Sequence, residues 1–269
     1  MGDADGLARA VTELHALAER LRAECPWDRA QTTRTIVPHT VEEAYEVADA
    51  ALAEASEKLL DELGDLLFQV VFLALLLEER GKGDLAEVAR RIADKLVRRH
   101  PHVFESPGDV RSAGDVKARW EDLKTVQEER EGIFHHVPET LPALLLAKKV
   151  QRRAATAGFD YPETAGAFDD LADELEELRR ELPVDDPASE TEPDPRHFDE
   201  IGDVLFACVN VARRLNVDPE LALRSATERF RARVGAAERL AEAEGVPFAK
   251  LPLTEQDRFF DMAKEAERR

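Results

Sequence analysis

The chain has 269 residues and a formal net charge of −20 at pH 7, with 57 Asp and Glu against 37 Lys and Arg. Contacts to the phosphates of duplex nucleic acid or of an anionic membrane need clustered Lys and Arg, so we expect neither partner. Hydrophobic residues make up 43% and charged residues 35%, a composition that excludes a disordered chain and favours a helical one. The length is typical of two domains.

The cysteine content and the apolar segments predict a cytoplasmic protein. Cys25 and Cys208 are too few for a disulfide scaffold, and neither belongs to a CxxC metal-binding pattern. The acidic N-terminus lacks the apolar segment of a signal peptide. The longest apolar run, residues 66–77, is too short to span a membrane, so we expect it to form a buried core helix.

Helical spacing of apolar residues predicts five helices in the first half of the chain. Three of them begin at recognisable caps. These are Thr40, with Glu43 at the capping-box position, Ser56 before the third helix and Asp84 before the fourth. The predicted helices run over residues 7–23, 40–55, 56–80, 84–100 and 113–129.

The second half repeats the plan of the first. Its predicted helices cover residues 144–157, 164–181, 196–215, 219–244 and 254–268, with a proline-rich acidic loop over 182–195. No strand-like alternation occurs in the sequence. The predicted architecture is all-α, with two tandem helical bundles. The predicted boundaries are a first domain over residues 1–131, a linker over 132–142 and a second domain over 143–269.

An acidic pattern occurs once in each half. In each copy, two acidic pairs at i,i+3 spacing lie on two predicted helices, so packing the helices together would gather four carboxylates. Crowded carboxylates repel unless cations offset their charge, and Mg²⁺ or Mn²⁺ prefers oxygen ligands. The predicted metal ligands are Glu43, Glu46, Glu62 and Asp65 in the first copy, and Glu174, Glu177, Glu200 and Asp203 in the second.

Two features of the acidic pattern leave alternatives open. Glu42 lies four residues before Glu46, and Asp173 lies four residues before Glu177, so either could replace its neighbour in the cluster. A glycine separates the second acidic pair in each copy, within an apolar helix where glycine costs about 1 kcal/mol relative to alanine. It indicates either close approach of a ligand or another backbone, or tight helix packing.

A basic pair at i,i+4 spacing follows each acidic pattern. The pairs are Lys95 with Arg99, and Arg229 with Arg233. On a helix that adjoins the metal site they could bind phosphate oxygens. A solvated basic face is the alternative. The chain has neither the GxxxxGK[ST] loop of P-loop enzymes nor the Glu-x-x-His pattern of di-iron bundles.

Several motifs, taken in order, resemble the MazG family. They are Cys25-Pro26-Trp27-Asp28, Glu42-Glu43-Ala44-Tyr45-Glu46, Glu62-Leu63-Gly64-Asp65-Leu66-Leu67, Arg98-Arg99-His100-Pro101-His102-Val103-Phe104, Gly158-Phe159-Asp160 and Asp203-Val204-Leu205-Phe206-Ala207. The resemblance implies an all-α, homodimeric nucleoside triphosphate pyrophosphohydrolase. Such an enzyme uses Mg²⁺, or Mn²⁺ as a substitute, to convert an NTP or dNTP into the monophosphate and pyrophosphate.

The resemblance also implies roles for individual residues. The two acidic quartets would bind the metal, the two basic pairs would bind phosphate, and Phe260 lies near a position where an aromatic ring could stack on the base. Thr227 and Arg229 depart from the Asn and Lys common in the family. Our hypothesis is metal-assisted attack of water on the α-phosphorus, with Glu42 or Asp173 accepting the proton. The rival hypotheses are a non-catalytic scaffold that binds metal or nucleotide, and an enzyme for modified nucleotides.

Overall fold

The computed structural model describes residues 4–104, 132–134, 137–138, 140–181 and 194–267. All regular elements in these ranges are helical, which confirms the all-α prediction. No helix among them combines the length and the apolar character that crossing a membrane requires. The chain divides into two compact units, Met1–Glu129 and Arg130–Arg269. The helix predicted over residues 113–129 and most of the loop predicted over 182–195 lie outside the described residues.

The first unit contains two short helices that the sequence analysis missed, α2 and α6, since a helix of four or five residues is too short to show an apolar period. Proline occupies the first position of both, where its missing N–H leaves no hydrogen bond unmade. The helices of this unit are α1 (Ala4–Glu24), α2 (Pro26–Ala30), α3 (Thr33–Leu52), α4 (Ser56–Glu78), α5 (Leu85–Arg99) and α6 (Pro101–Phe104).

The start predicted for α3 at Thr40 is wrong. The helix begins two turns earlier, where the Thr32 hydroxyl accepts from the Thr35 N–H at 3.3 Å. Thr40 lies inside the helix and donates to the Ile36 carbonyl at 3.4 Å. Pro38 removes one backbone hydrogen bond. Ile36 is 1% exposed and packs against the core residues of α4. This burial stabilises the helical turn that precedes the proline.

The prediction that residues 66–77 form a buried core helix holds for two sides of the helix and not for a third. One side of α4 packs on α1 through Val71 and Leu75, and another packs on Ile36 of α3 through Phe72 and Leu76. A third side is exposed apolar surface. This α4 stripe consists of Leu60, Leu63, Leu67 and Val70, whose exposed fractions run from 67% to 39%. The helix therefore has more apolar surface than its own unit covers.

The second unit follows the predicted plan, and each of its helices ends within one residue of the predicted bounds. A 3₁₀ turn, Phe248–Lys250, was not predicted. The helices are α7 (Ala143–Thr156), α8 (Thr164–Arg180), α9 (Pro195–Arg214), α10 (Pro219–Ala243) and α11 (Leu253–Glu267). The starts of α9 and α10 are well defined, because the side chains of Asp194 and Asp218 cap these helices by accepting backbone N–H groups.

Helix pairing in the second unit resembles that in the first. The acidic helices α8 and α9 pack on each other, as α3 and α4 do. Helix α7 packs on α9, where the buried Gln151 donates to the Phe206 carbonyl at 2.7 Å. The exposed side of α9 carries Phe198, Ile201 and Leu205, each at least 48% exposed. This α9 stripe corresponds to the α4 stripe of the first unit.

The loop between α7 and α8 is anchored to α9 by an ion-pair cluster. Arg213 and Arg214 both donate to the Asp160 carboxylate, and all three side chains are at most 21% exposed. The hydrogen bond from Arg213 is the largest cause of a pKa below the usual aspartate value, although partial burial opposes it. A depressed pKa means that the ionised form stabilises the folded state.

Replacing Asp160 by asparagine should therefore destabilise the protein by about 1–3 kcal/mol at pH 7, because it removes charge-assisted hydrogen bonds. The stabilisation is present above the unfolded-state pKa and lost below it, so the difference from the parent should shrink once the pH falls below about 4. Urea unfolding between pH 7 and pH 3 measures it. Glu24→Gln is the control, because its ion pair with Arg20 is well exposed and should contribute little. A difference independent of pH would contradict the assignment.

Candidate metal centres

The first unit brings three of its predicted ligands together. Glu43 from α3 and both Glu62 and Asp65 from α4 each place a carboxylate oxygen within 4.8 Å of the others. Glu62 is only 8% exposed, whereas Asp65 is exposed. Burial is the largest cause of the raised pKa of Glu62, and the neighbouring carboxylate of Glu46, the fourth predicted ligand, adds to it. All four carboxylates therefore belong to one cluster between two packed helices.

The second unit forms the matching cluster between α8 and α9. Glu174, Glu177 and Glu200 each place a carboxylate oxygen within 4.8 Å of the others. Asp203 belongs to the same neighbourhood, since its charge raises the pKa of Glu174. Glu200 Oε2 is buried and has no hydrogen-bond partner among the described residues. A buried carboxylate oxygen without a donor indicates a missing partner, and a cation would supply it.

The pKa values in both clusters are those of crowded, partly buried carboxylates. Burial is the largest cause that raises the pKa of Glu43, followed by the charges of Asp65 and Glu46. Burial likewise leads for Glu62, and it leads for Glu174 ahead of the charge of Asp203. Such groups prefer to be neutral unless positive charge is brought to them. The all-oxygen ligand set suits a hard divalent cation.

The two carboxylates proposed as proton acceptors lie beside these clusters. Glu42 is on the exposed side of α3, with 65% of its side chain exposed, and its carboxylate is 3.7 Å from His39 Nδ1. Asp173 is exposed on α8. Glu43 and Glu174, not these neighbours, contribute the oxygens that gather in the clusters. Whether Glu42 and Asp173 accept a proton stays a prediction.

The basic pair of the first unit lies on α5, whose residues are all at least partly exposed. Helix α5 packs on α4 through Leu85 in its first turn, whereas Lys95 and Arg99 lie in its last two turns. None of the residues of α5 is buried, although Ile92 and Leu96 form part of an apolar face. The main helix contacts of α5 are with α6 and with α4, the helix that carries Glu62 and Asp65. Whether the basic pair reaches the metal site stays a prediction.

The basic pair of the second unit lies on α10, whose main helix contacts are with α11 and α7. The Arg229 Nη1 group donates to the Ser225 hydroxyl at 2.6 Å. The Arg233 Nε group donates to Glu267 of α11 at 2.7 Å. The contact of α10 with the acidic helix α9 is small. The hydrogen bonds of this pair therefore go to Ser225 and Glu267 and not to the carboxylate cluster.

The aromatic residue predicted to stack on a base is partly enclosed. Phe260 packs against the small core that α10 and α11 share. Its ring lies 5.8 Å from that of Phe230, which is 60% exposed and follows Arg229 directly in sequence. Phe230 lies one residue after Arg229 and three residues before Arg233 on α10.

The glycines between the second acidic pairs make no close approach within the described chain. A Cβ atom built at Gly64 or Gly202 would have no atom of the described residues within 4 Å, apart from its own helix backbone and chain neighbours. Tight packing inside the chain therefore does not explain either glycine. Close approach of a ligand or of another chain remains the alternative.

Comparison with known proteins places these clusters in a family. Residues 31–104, which include the whole first cluster, match the MazG nucleotide pyrophosphohydrolase domain. A nucleoside triphosphate pyrophosphohydrolase of Escherichia coli strain K12 is 38% identical over 266 residues, covering 96% of this chain and 98% of that protein.

Two further relatives carry similar names. The nucleoside triphosphate pyrophosphohydrolase/pyrophosphatase MazG of Thermotoga maritima is 37% identical over 257 residues, covering 94% of each chain. A nucleoside triphosphate pyrophosphohydrolase of Mycobacterium tuberculosis is 36% identical over 145 residues, covering 53% of this chain and 44% of that protein. Similarity that spans nearly both full lengths, with a carboxylate cluster in each unit, shows that this chain belongs to the MazG family of nucleoside triphosphate pyrophosphohydrolases.

Proposed function

We propose that this protein is a Mg²⁺-dependent nucleoside triphosphate pyrophosphohydrolase, which cleaves an NTP or dNTP between the α and β phosphates to give the monophosphate and pyrophosphate. One observation carries the proposal: in each unit, three carboxylates from two packed helices lie within 4.8 Å of one another. The names of the full-length relatives support the same activity.

The residues of both clusters fit a divalent cation. Their ligand atoms are all carboxylate oxygens, their pKa values are raised by burial and mutual repulsion, and Glu200 Oε2 is buried without a donor. Mg²⁺, with Mn²⁺ as a substitute, would polarise the phosphoryl oxygens and lower the pKa of a bound water. The ligands would be Glu43, Glu46, Glu62 and Asp65 in one unit and Glu174, Glu177, Glu200 and Asp203 in the other.

The remaining site residues would act on the substrate. Glu42 and Asp173 are exposed carboxylates one residue before the clustered Glu43 and Glu174, and they would accept the proton of the attacking water. The basic side chains would neutralise and orient the triphosphate, and the aromatic ring would contact the base. These binding residues are Lys95, Arg99, Arg229, Arg233 and Phe260.

The protein would act as a homodimer. Each unit exposes an apolar stripe beside its acidic cluster, on α4 and on α9, and a solvent-exposed stripe of this size indicates a protein contact. The basic helix α10 makes only a small contact with the acidic helix α9 of its own chain, and the basic pair of α5 lies at the opposite end of that helix from Leu85, which packs on the core of α1 and α4. A second copy that covers the stripes would bring further side chains to the clusters. The free thiols of Cys25 and Cys208 are consistent with work in the reducing cytoplasm.

Product identification in ¹⁸O-labelled water tests the activity. We expect a panel of NTPs and dNTPs with Mg²⁺ to yield monophosphate and pyrophosphate, because the cation and basic residues stabilise the leaving pyrophosphate. The label should appear in the monophosphate, since water attacks the α-phosphorus. Label in the pyrophosphate would place the attack at the β-phosphorus, and release of diphosphate and orthophosphate would overturn the proposal.

The same panel distinguishes the rivals. Hydrolysis confined to one modified nucleotide would indicate a specialised enzyme. Nucleotide binding without any turnover, with a cation-dependent melting temperature, would indicate a scaffold. Neither result is expected, because the clusters are exposed enough to admit a substrate: Asp65 and Glu177 are both exposed at their rims.

Stability without metal should fall as the pH rises. The folded-state pKa values of Glu43, Glu62 and Glu174 are raised, so the folded protein binds protons more readily than the unfolded chain. That stabilisation is complete below the ordinary glutamate pKa, about 4, and is lost as the pH rises through the raised values. In EDTA, the melting temperature should decrease between pH 5 and pH 7, whereas the gain on adding Mg²⁺ should increase over the same interval. A Mg²⁺ effect that is independent of pH would contradict binding at these carboxylates.

A further inference from the structure

The loop over residues 158–163, the brace loop, joins α7 to α8 and is anchored by side-chain contacts to α9. Its Asp160 accepts hydrogen bonds from Arg213 and Arg214 at the end of α9. The same carboxylate accepts from the backbone N–H of Tyr161 at 2.9 Å. The backbone of Tyr161 is therefore fixed relative to α9 just before α8 begins.

The side chain of Tyr161 extends this connection along α8. Its ring lies against Gly166, where an added Cβ would be 2.9 Å from the ring Cδ1 atom, so only glycine permits this approach without movement. The hydroxyl donates to Asp170 Oδ1 at 2.7 Å. The brace loop thus holds the carboxylate of Asp170 through the tyrosine hydroxyl.

Asp170 lies one turn before a predicted metal ligand. It is four residues before Glu174 on α8, so both side chains share a helix face. Burial is the largest cause that raises the pKa of Glu174, and the negative charge of Asp170 raises it further. The two carboxylates therefore interact electrostatically. The cluster beyond Glu174 contains the buried, donor-free Oε2 of Glu200, an independent sign that a positive ligand belongs there.

The first unit has a different residue at the matching position. His39 lies four residues before Glu43, as Asp170 lies four residues before Glu174. The His39 ring packs edge-on to Trp27, with 5.8 Å between centroids, and its Nδ1 is 3.7 Å from Glu42. The two clusters therefore share four carboxylates, but they differ by a carboxylate in one and an imidazole in the other.

We propose that Tyr161 and Asp170 are positioning residues of the second cluster alone, where Asp170 serves as an outer carboxylate that strengthens divalent-cation binding relative to the first cluster. The inference rests on the proposed function, because it assumes that both clusters bind a cation. A carboxylate outside the ligand set can accept hydrogen bonds from cation-bound water, and it adds negative charge close to the cation. The tyrosine hydroxyl keeps that carboxylate in place.

The size of the effect follows from what outer carboxylates contribute elsewhere. Replacing a hydrogen-bonded residue outside the ligand set commonly weakens metal binding about 10–100-fold. Asp170 is only partly buried, so solvent screens its charge, and we expect the lower end of that range. Losing only the tyrosine hydroxyl should cost less, because the carboxylate remains and merely becomes more mobile.

The test is a titration of the full-length chain with Mn²⁺, in which the EPR signal of free Mn²⁺ measures how much of the cation is bound. In a Glu43→Gln/Glu62→Gln background, which leaves the second cluster intact, Asp170→Asn and Asp170→His should each raise the Mn²⁺ Kd about tenfold. Tyr161→Phe should raise it by a smaller factor. In the reciprocal Glu174→Gln/Glu200→Gln background, His39→Asp should lower the Kd of the first cluster.

Asp169→Asn is the matched control, because it removes one negative charge from the adjacent, exposed position on α8. It should change the Kd less than twofold. Circular dichroism of each variant verifies the fold. An unchanged Kd for Asp170→Asn, or an equal change for Asp169→Asn, would overturn the inference while the proposed activity stood. No Mn²⁺ binding in either background would instead refute the proposed function, and this inference with it.

Discussion

Replacing Glu174 and Glu200 by glutamine should abolish cation-dependent turnover in the second unit, lowering its kcat/KM at least about a hundredfold. The estimate takes about 3 kcal/mol of transition-state stabilisation from the cation, and each 1.4 kcal/mol is tenfold in rate. Both residues contribute a carboxylate oxygen to the cluster. Glu200 also has a buried oxygen, Oε2, without a hydrogen-bond donor among the described residues. Glutamine retains the shape and removes the charge, so the lost activity reports on metal binding and not on packing.

The same substitutions should leave the metal-free protein folded and slightly more stable. The raised pKa of Glu174 shows that its negative charge is unfavourable in the absence of a cation. Removing it should raise the melting temperature in EDTA by about 1–3 °C at pH 7, and it should diminish the increase that Mg²⁺ normally produces. Opposite changes in stability and activity separate a metal site from a structural ion-pair network.

Glu43→Gln/Glu62→Gln is the matched variant in the first unit. Comparing the two double variants assigns the activity, because the copy whose loss removes turnover is the catalytic one. Equal partial losses would mean that both copies work. If the variant with all four substitutions hydrolysed nucleotides at the parental rate, the carboxylate clusters would not be the catalytic sites.

Placing a charge in the exposed apolar stripes should convert the protein from a dimer to a monomer. Leu67→Glu on α4 and Leu205→Glu on α9 each remove an apolar side chain that is 43% and 50% exposed in the single chain. Burying a leucine is worth about 2 kcal/mol, and a two-fold interface loses each contribution twice. Each substitution should therefore raise the dimer Kd at least about a thousandfold. Sedimentation velocity across a concentration series measures the change.

Leu7→Glu is the control for this experiment. It makes the same change at an exposed leucine of α1, outside both stripes, and should leave the association unchanged. We expect the monomeric variants to lose activity as well, because α10 carries a basic pair and makes only a small contact with its own acidic helix α9. A parent chain that is monomeric at micromolar concentration, or a monomeric variant with full activity, would contradict the dimer proposal.

Helix positions were predictable where local signals were unopposed. In the second unit, the predicted helix ends agree with the structure to within one residue, and the structure shows aspartate caps and prolines at the starts of α9 and α10, where capping acts within a single turn. The start of α3 was not predictable in the same way. Pro38 disfavours a helix locally, and only the burial of Ile36 against α4 shows that the helix continues through it. Long-range packing outweighed the local signal.

The amino-acid sequence by itself determined that the protein is helical, that it contains two related halves and that each half has a carboxylate cluster, because periodicity and i,i+3 spacing are local properties. Which acidic neighbour joins each cluster was decided only by the tertiary structure, since the rotation of one helix against the next selects Glu43 over Glu42 and Glu174 over Asp173. The hydrogen bond from Tyr161 to Asp170 and the exposure of the α4 stripe also depend on how separate segments of the chain pack together. No spacing rule encodes those contacts.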